Sequence, residues 1–472
     1  MSSTNQEMAN RKAYAAVYDS MQWLTPQTTA TAIEARETLV GSIFRFPESK
    51  WAFSNTKLFT HALSPGCWLC GQGKWSCLFI NGICNAGCFY CPSSQNDPGV
   101  PMTNTIAFEN PMDYADYVNR FNIQGVSFSG GEPFLTFERV LSFLETLKAC
   151  VDHPVYTWIY TNGILVTRDK LVALRERGLD EIRFDISADR YRLDALEKAL
   201  GVIPHVTVEI PAIPEDLPVS KKVIVALDQL GVDYLNLHQI RCTPYNRERL
   251  AERGYTFLHG PSVTVLDTEL AALELIRYAL DRSITLPINY CCFSYQHQFQ
   301  STGARRRSAE FIKADYEDIT PTGFIRRLTI SGAAKAIAGI GNTLAAQKVD
   351  PSSYNLSAKK DCLFFSAGLW PLIDFSQVRL KVSYSQAVVR NSVSYYHPFK
   401  EMVLNNGKTV VVEKQSCLAG VWLDGDRLHR FWPLIRSQDG TRLYSDIEEP
   451  ALQWYSDILP FETIRPGLAP YQ

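Results

Sequence analysis

Nowhere does this chain of 472 residues gather the ~18–20 consecutive apolar residues that a membrane span requires. Its first two dozen residues are polar and mixed in charge, without the apolar core of a secretory signal. An excess of one charge is missing too. Lys and Arg number 47 against 49 Asp and Glu, a formal charge of −2, so no global field favours nucleic acid or an anionic membrane. Internal repeats and low-complexity tracts are absent, which argues against a solenoid or a disordered linker protein. The expectation is a cytoplasmic protein without a membrane partner. At 46% hydrophobic and 20% charged residues the composition is that of a globular chain. Its length exceeds one compact core, so two or three units are expected.

Cysteine is what the chain has in unusual density. Of 12 cysteines, six fall between Cys67 and Cys91, in GCWLCGQGKWSCLFINGICNAGCFYCP. In a reducing compartment such spacings read as metal or cluster ligands rather than disulfides. Cys84, Cys88 and Cys91 form a Cys-x3-Cys-x2-Cys loop after an apolar stretch that turns at Asn81-Gly82. Cubane iron–sulfur clusters usually take four thiolates, so three leave one iron open to another ligand. Structural zinc also uses closely spaced cysteines, and spacing alone leaves both open. Residues 125–134, GVSFSGGEPF, then place Gly130-Gly131-Glu132-Pro133 at the end of an alternating strand. Paired glycines permit close backbone approach to a ligand, and a glutamate accepts from an ammonium group.

Together these motifs resemble the radical S-adenosylmethionine (SAM) superfamily. Cys84-Asn-Ala-Gly-Cys88-Phe-Tyr-Cys91 is similar to its cluster motif, including the aromatic Tyr90, and Gly130-Gly131-Glu132-Pro133 is similar to its SAM-amino motif. Tyr160-Thr161-Asn162-Gly163 resembles the third-strand end of the pyruvate formate-lyase-activating and peptide-modifying branches. The segment from Asn236 to Arg307 is similar to a branch related to those activating enzymes. The resemblance covers residues 67–295. It implies a 4Fe-4S cluster on Cys84, Cys88 and Cys91 and SAM bound near Tyr90, Gly130, Gly131, Glu132 and Asn162. It further implies reductive cleavage of SAM to a 5′-deoxyadenosyl radical that abstracts hydrogen from a substrate, with a reducing protein such as a flavodoxin or ferredoxin as partner.

Strand and helix signals alternate from Cys77 to about residue 290, which implies a parallel sheet. The resemblance implies its closure into a partial (β/α) TIM-like barrel of six to seven parallel strands, with chemistry at the C-terminal strand ends. Ile182, Phe184 and Ile186 alternate with Arg183, Asp185 and Ser187, and later strands put Glu209, Asn236, His238 and Asn289 on the polar face. Helices must cover the apolar face, so the polar face is expected to line a lumen that holds cofactor and substrate. Asp185, Ser187, Glu209 and His238 are therefore candidate SAM contacts.

Cys67-x2-Cys70-x6-Cys77 suggests a second metal site, an auxiliary iron–sulfur cluster or zinc, with Cys150 or Cys292 as fourth ligand. Cys242 and Cys291 are expected near the reaction chamber and are candidate catalytic thiols. Residues 1–66 are expected to form a mainly helical extension, 296–319 a basic connecting segment and 320–472 a β-rich domain. Turn signals at Asn405-Asn406-Gly407, Asp424-Gly425 and Asp439-Gly440 punctuate the last. The substrate expected is a peptide, protein or other sizeable molecule. Alternatives are RNA or a nucleotide gripped by Arg305, Arg306 and Arg307, activation of a glycyl-radical enzyme, or a non-catalytic zinc or cluster module.

Overall fold

A computed structural model of the protein describes residues 3–436 and 453–468. The chain forms two units. One runs to Gln300 and takes in Leu404–Asn406 and the chain from Arg465; the other comprises Ser301–Val403 and Gly407–Ile464.

After a helix over Ser3–Ala13, the first unit continues with helix α1 (Pro26–Ile43), started by Thr25, whose hydroxyl and that of Thr28 cap each other's backbone. A hairpin of β1 (Ser49–Ala52) and β2 (Lys57–Thr60) follows. Next comes a short helix, α2 (Pro65–Gly71), capped by Ser64, whose hydroxyl accepts from the Cys67 N–H. The core of the unit is a run of seven strands: β3 (Trp75–Ile83), β4 (Gly125–Gly130), β5 (Tyr156–Thr161), β6 (Glu181–Phe184), β7 (His205–Pro211), β8 (Tyr234–His238) and β9 (Ile288–Cys291). Each is parallel to the next in chain order.

The array is a partial barrel. Its two outer strands are met by antiparallel pieces instead of each other: β9 by β2, and β3 by Met102–Thr103. Such pairing covers backbone groups that an open sheet edge would expose. Helices alternate with the strands, among them α3 (Pro111–Arg120), α4 (Phe137–Cys150), α5 (Arg168–Glu176), α6 (Asp194–Ala199), α7 (Leu217–Leu230) and α8 (Leu266–Asp281). Along β6, Ile182 and Phe184 are buried and so is Arg183 between them. Each buried apolar side chain stabilises by about 1.5–3 kcal/mol, whereas a buried guanidinium must find partners inside the lumen.

Two expectations shift. The strand signal that runs to about residue 290 becomes a paired strand only from Ile288, because the N–H groups of Thr285 and Leu286 donate to Asp228 and Pro287 has none to give. The mainly helical extension expected over residues 1–66 also carries a hairpin, Ser49–Ala52 with Lys57–Thr60, on the barrel edge.

In the second unit, an antiparallel sheet contains β10 (Ile325–Gly332), β11 (Tyr354–Leu356), β12 (Cys362–Phe365), β13 (Val378–Arg390), β14 (Phe399–Val403) and β15 (Thr409–Leu423) in the order β11-β12-β10-β13-β15-β14. The expected turn at Asn405-Asn406-Gly407 joins β14 to β15, and Gly425 follows the end of β15. The turn expected at Asp439-Gly440 lies outside the described residues. From β10 Arg326 meets both carboxylate oxygens of Glu462, at the end of the helix Gln453–Glu462, at 2.9 and 2.8 Å, and Tyr384 of β13 donates to the same carboxylate at 2.7 Å.

The basic segment is helical over Ser301–Ile312. Successive side chains on a helix point about 100° apart, so Arg305, Arg306 and Arg307 do not share a face. Arg305 donates to Thr302 and to the Thr322 carbonyl, and burial lowers its guanidinium to about 10. The alternative of a three-arginine grip on one face is therefore not built. No helix among the described residues is long and apolar enough to cross a membrane.

Candidate functional site

The loop after β3 brings Cys84, Cys88 and Cys91 onto one wall of a cavity of about 420 Å³, whose other walls include Glu132, Asp185 and His238. Each thiol is positioned. Cys84 Sγ receives the Ala86 N–H at 3.4 Å and the Asn162 amide at 3.7 Å; Cys91 Sγ receives the Gln95 amide at 2.9 Å. The loop itself is tied down from beyond β8. Asn246 donates to the Tyr90 carbonyl, Arg249 to that of Cys88 and Thr243 to that of Pro92. Burial raises the Cys84 thiol and pushes Cys88 up to about 11.

The Gly-Gly-Glu-Pro turn proves to be built for the chain as well as for a ligand. A side chain on Gly130 would stand 2.1 Å from the Asn81 carbonyl, and one on Gly131 would stand 1.9 Å from that of Ile83. Gly130 also has φ +123°. The glycines therefore let the end of β4 hydrogen-bond the end of β3, with Gly131 N–H donating to Asn81 and Glu132 N–H to Ile83. Glu132 is 1% exposed and accepts from Phe134 N–H (3.0 Å), Thr161 Oγ1 (2.9 Å) and Asn162 N–H (2.8 Å). Burial raises its carboxyl despite those bonds. An ionised carboxylate has about four acceptor positions, so roughly one remains for an ammonium donor in the cavity.

Two further networks line that cavity. Tyr90 OH donates to Asp185 at 2.9 Å and lies 2.7 Å from Ser187 Oγ, which itself bonds Asp185. Burial raises the Asp185 carboxyl, against the pull of Ser187 and Tyr90. Deeper in, Arg183 pairs with Glu181 and Glu209, each at 2.8 Å, and donates to Ser64. Glu209 also meets His238 Nε2 at 2.6 Å and Asn236 Nδ2 at 2.7 Å. Burial alone would raise Glu209; Arg183 and His238 outweigh it and hold the carboxyl well below the usual range. The polar lumen read from strand alternation is thus present: Asp185, Glu209 and His238 line it, and Ser187 stands behind them, bonded to Tyr90 and Asp185.

The remaining cysteines divide differently from expectation. Cys67 and Cys70, one turn apart on α2, share a second cavity of about 100 Å³ with Cys291 and Lys57. Tyr160, Arg183, Glu209, His238 and Gln296 border both cavities. Cys77 is not on the second cavity's wall; burial pushes its thiol up to about 11 beside Ser127 and Ser129. Cys150 is exposed at the end of α4, 3.6 Å from Met112 Sδ. Cys292 turns the other way from Cys291, donating to the Thr56 carbonyl at 3.1 Å. Neither proposed fourth ligand joins Cys67 and Cys70. Cys242 is 2% exposed in an apolar cluster with Tyr14, Ile240 and Phe257, off the cavity wall, so its expected place near the chemistry is not met.

Sequence reading missed Gln95, Asn246, Arg249 and Lys57. The Thr243-Pro-Tyr-Asn246 turn carried a signal for one of them, since Thr and Asn beside proline mark a loop held by its own side chains. Lys57 carried none.

The three thiols fit a cluster by their chemistry, being soft donors on one wall. Among the described residues no three His, Cys, Asp or Glu side chains close around a single ion. These thiols would hold a 4Fe-4S cluster, which would supply electron-transfer chemistry there, and Glu132 keeps an acceptor position facing the same cavity. Comparison with known proteins agrees. The radical SAM superfamily profile matches residues 78–199. A Methanocaldococcus jannaschii protein provisionally named a glycyl-radical enzyme activating enzyme is 28% identical over 277 residues, 56% of this chain and 72% of that one. A GTP 3′,8-cyclase from Synechococcus sp. strain WH7803 is 29% identical over 119 residues, 24% of this chain and 33% of its own. A radical SAM methyltransferase structure from Kitasatospora setae aligns over 38% of this chain and 39% of its own, at 13% identity and a TM-score of 0.29, too loosely to transfer anything. Residues 78–199 thus form a radical SAM domain, whose cofactors are a 4Fe-4S cluster and SAM, in an enzyme similar to the pyruvate formate-lyase-activase-like branch.

Proposed function

We propose that the enzyme cleaves SAM reductively at a cluster held by Cys84, Cys88 and Cys91, and uses the 5′-deoxyadenosyl radical to abstract hydrogen from a peptide or protein. The observation that carries this reading is the shared wall: three positioned thiols and Glu132 face one cavity. Tyr90, Asp185, Ser187 and Asn162 orient groups around it, and the Arg183–Glu209–His238 network closes it towards the barrel interior. The electron donor in this reading is a small reducing protein, a flavodoxin or ferredoxin.

The size of the cavity supports a slender reacting group. About 420 Å³ lies near the small end of ligand sites, ~300–1,000 Å³, and SAM shares it. An extended peptide can present one α-hydrogen at such a mouth. The jannaschii relative, named as an activator of a glycyl-radical enzyme, favours a protein substrate too. The dispersed arginines of 305–307 remove the feature that favoured RNA.

Anaerobically purified protein given dithionite and SAM should release 5′-deoxyadenosine. Replacing Cys84, Cys88 and Cys91 together by Ala should abolish the release, and retained cleavage would refute the assignment. GTP should leave the yield unchanged. A GTP-dependent rise, with deuterium passing from labelled GTP into 5′-deoxyadenosine, would replace the peptide reading by a nucleotide one.

A further inference from the structure

The second cavity holds an arrangement that SAM cleavage does not use. Cys67 and Cys70 are separated by one helical turn and so lie on the same face of α2. Cys291 approaches from the end of β9. Between them stands Lys57, 1% exposed, its ammonium 4.2 Å from the Tyr295 ring centre. The ionisable groups acting most strongly on that ammonium are the thiols of Cys291, Cys67, Cys70 and Cys292; Glu209, on the wall of the same cavity, is already engaged by Arg183 and His238.

A fully buried ammonium costs several kcal/mol unless an anion compensates it. Tyr295 contributes about 2 kcal/mol or more through its ring face at a desolvated site, but it brings no countercharge, and neither do neutral thiols. Thiolates held on a metal centre do. A cubane in its oxidised resting state with three thiolates carries a net charge of about −1, which one lysine offsets.

The shape distinguishes a cluster from a single ion. The cavity of about 100 Å³ is roughly three times a water molecule's ~30 Å³ share of liquid volume. Its thiols sit on the walls and do not close around a point. A tetrahedral zinc site would need sulfurs ~2.3 Å from one centre. Cys84, Cys88 and Cys91 are arranged in the same open manner around their own cavity.

We infer that Cys67, Cys70 and Cys291 hold a second iron–sulfur cluster, with Lys57 as its buried countercharge. Cys77, Cys150 and Cys292 take no part. The bordering residues shared by the two cavities put this centre beside the SAM chamber, separated from it by the Arg183–Glu209–His238 layer.

Iron, sulfide and zinc content, with low-temperature EPR of the anaerobically reconstituted full chain, tests this. Two cubanes give about eight irons per chain. Replacing Cys67, Cys70 and Cys291 by Ala should leave about four, in a reduced cluster whose EPR spectrum still changes on adding SAM. The reciprocal variant, lacking Cys84, Cys88 and Cys91, should keep about four irons in a cluster indifferent to SAM. Cys77→Ala should keep all of them. Lys57→Met should retain the iron but move the midpoint potential of the SAM-indifferent cluster lower, because reduction then adds charge without a nearby cation. The inference is overturned if the reciprocal variant, folded by circular dichroism, holds no iron. It is equally overturned if about one zinc per chain is lost with Cys67 and Cys70, or if Cys77→Ala loses as much iron as Cys67→Ala. A wild type with no SAM-responsive cluster, beside a reciprocal variant still holding iron, would sink the proposed function and leave this centre standing.

Discussion

The two units each bury an arginine against carboxylates, and the contrast shows what makes one network functional. In the second unit Arg326 is held by both oxygens of Glu462, Tyr384 completes the set, and all three are buried between the sheet and the helix Gln453–Glu462. In the barrel Arg183 bridges Glu181 and Glu209, but its neighbours His238, Tyr160 and Glu209 line two cavities. The chemistry of the pairs is alike; their access to a ligand is not. A buried ion pair is weak evidence for function, whereas one that walls a cavity is positioned to act on what enters.

The strongest way to break this contrast is to remove each guanidinium. Arg183→Met leaves Glu181 and Glu209 buried without their cation, and Arg326→Met does the same to Glu462. Each should cost ~3–5 kcal/mol of local stability, read by hydrogen exchange resolved to each unit. Only Arg183→Met should also depress SAM cleavage at a temperature where both variants remain folded. Equal loss of cleavage in both would erase the distinction drawn between sealed and cavity-lining pairs.

Much of the barrel was legible because its strands alternate and its helices carry clear boundaries. Arg183, Glu209 and His238 were placed on the polar face by period alone, and the structure keeps them there. What could not be read was which of two adjacent residues faces inwards at a strand end. Cys291 and Cys292 sit side by side in sequence and point to opposite surroundings, because successive side chains alternate and the register of β9 is fixed by β8 and β2. Lys57 was invisible for a different reason: its role depends on α2 and β9, far away in sequence. Cys242 was misplaced because the chain leaves the cavity wall after Arg241 and carries it into an apolar cluster. The Ser64-Pro65 start of α2 was a legible helix signal that the cysteine spacing overshadowed.

Acid provides the next test. Glu209 in the barrel and Glu317 in the second unit both have carboxyls held low against burial: Glu209 by Arg183 and His238, Glu317 by Lys414 and the Ala314 N–H. A depressed folded-state value means the stabilisation is fully present above the unfolded value of ~4.3 and is lost as pH falls through the folded one. Glu209→Gln and Glu317→Gln should each cost ~1–3 kcal/mol at neutral pH and flatten the acid limb of the unit that carries them. Acid unfolding followed by unit-resolved exchange checks this, and an unchanged limb in Glu209→Gln would refute the pairing. Glu209→Gln should in addition weaken SAM binding, since His238 loses its partner on the cavity wall.

The smallest effect expected in stability is the sharpest in function. Each network has a tyrosine donating to a buried carboxylate: Tyr384 to Glu462 at 2.7 Å, and Tyr90 to Asp185 at 2.9 Å. Tyr384→Phe removes one donor from a carboxylate that Arg326 still grips through both oxygens, so about 1 kcal/mol of stability should go and nothing else. Tyr90→Phe removes a similar bond, and Ser187 still serves Asp185 at 2.5 Å. Its stability cost should therefore be comparable. Yet Tyr90 lies between Cys88 and Asp185 on the wall of the SAM cavity, and its hydroxyl fixes Asp185 and Ser187 together. Losing it should raise the Kd for SAM several-fold with the iron content unchanged. Titration of the reduced cluster's EPR signal with SAM reads that affinity directly. If Tyr90→Phe binds SAM as tightly as the wild type, the Tyr90–Asp185–Ser187 set is as structural as its sealed counterpart, and access to a cavity is not sufficient to make such a network functional.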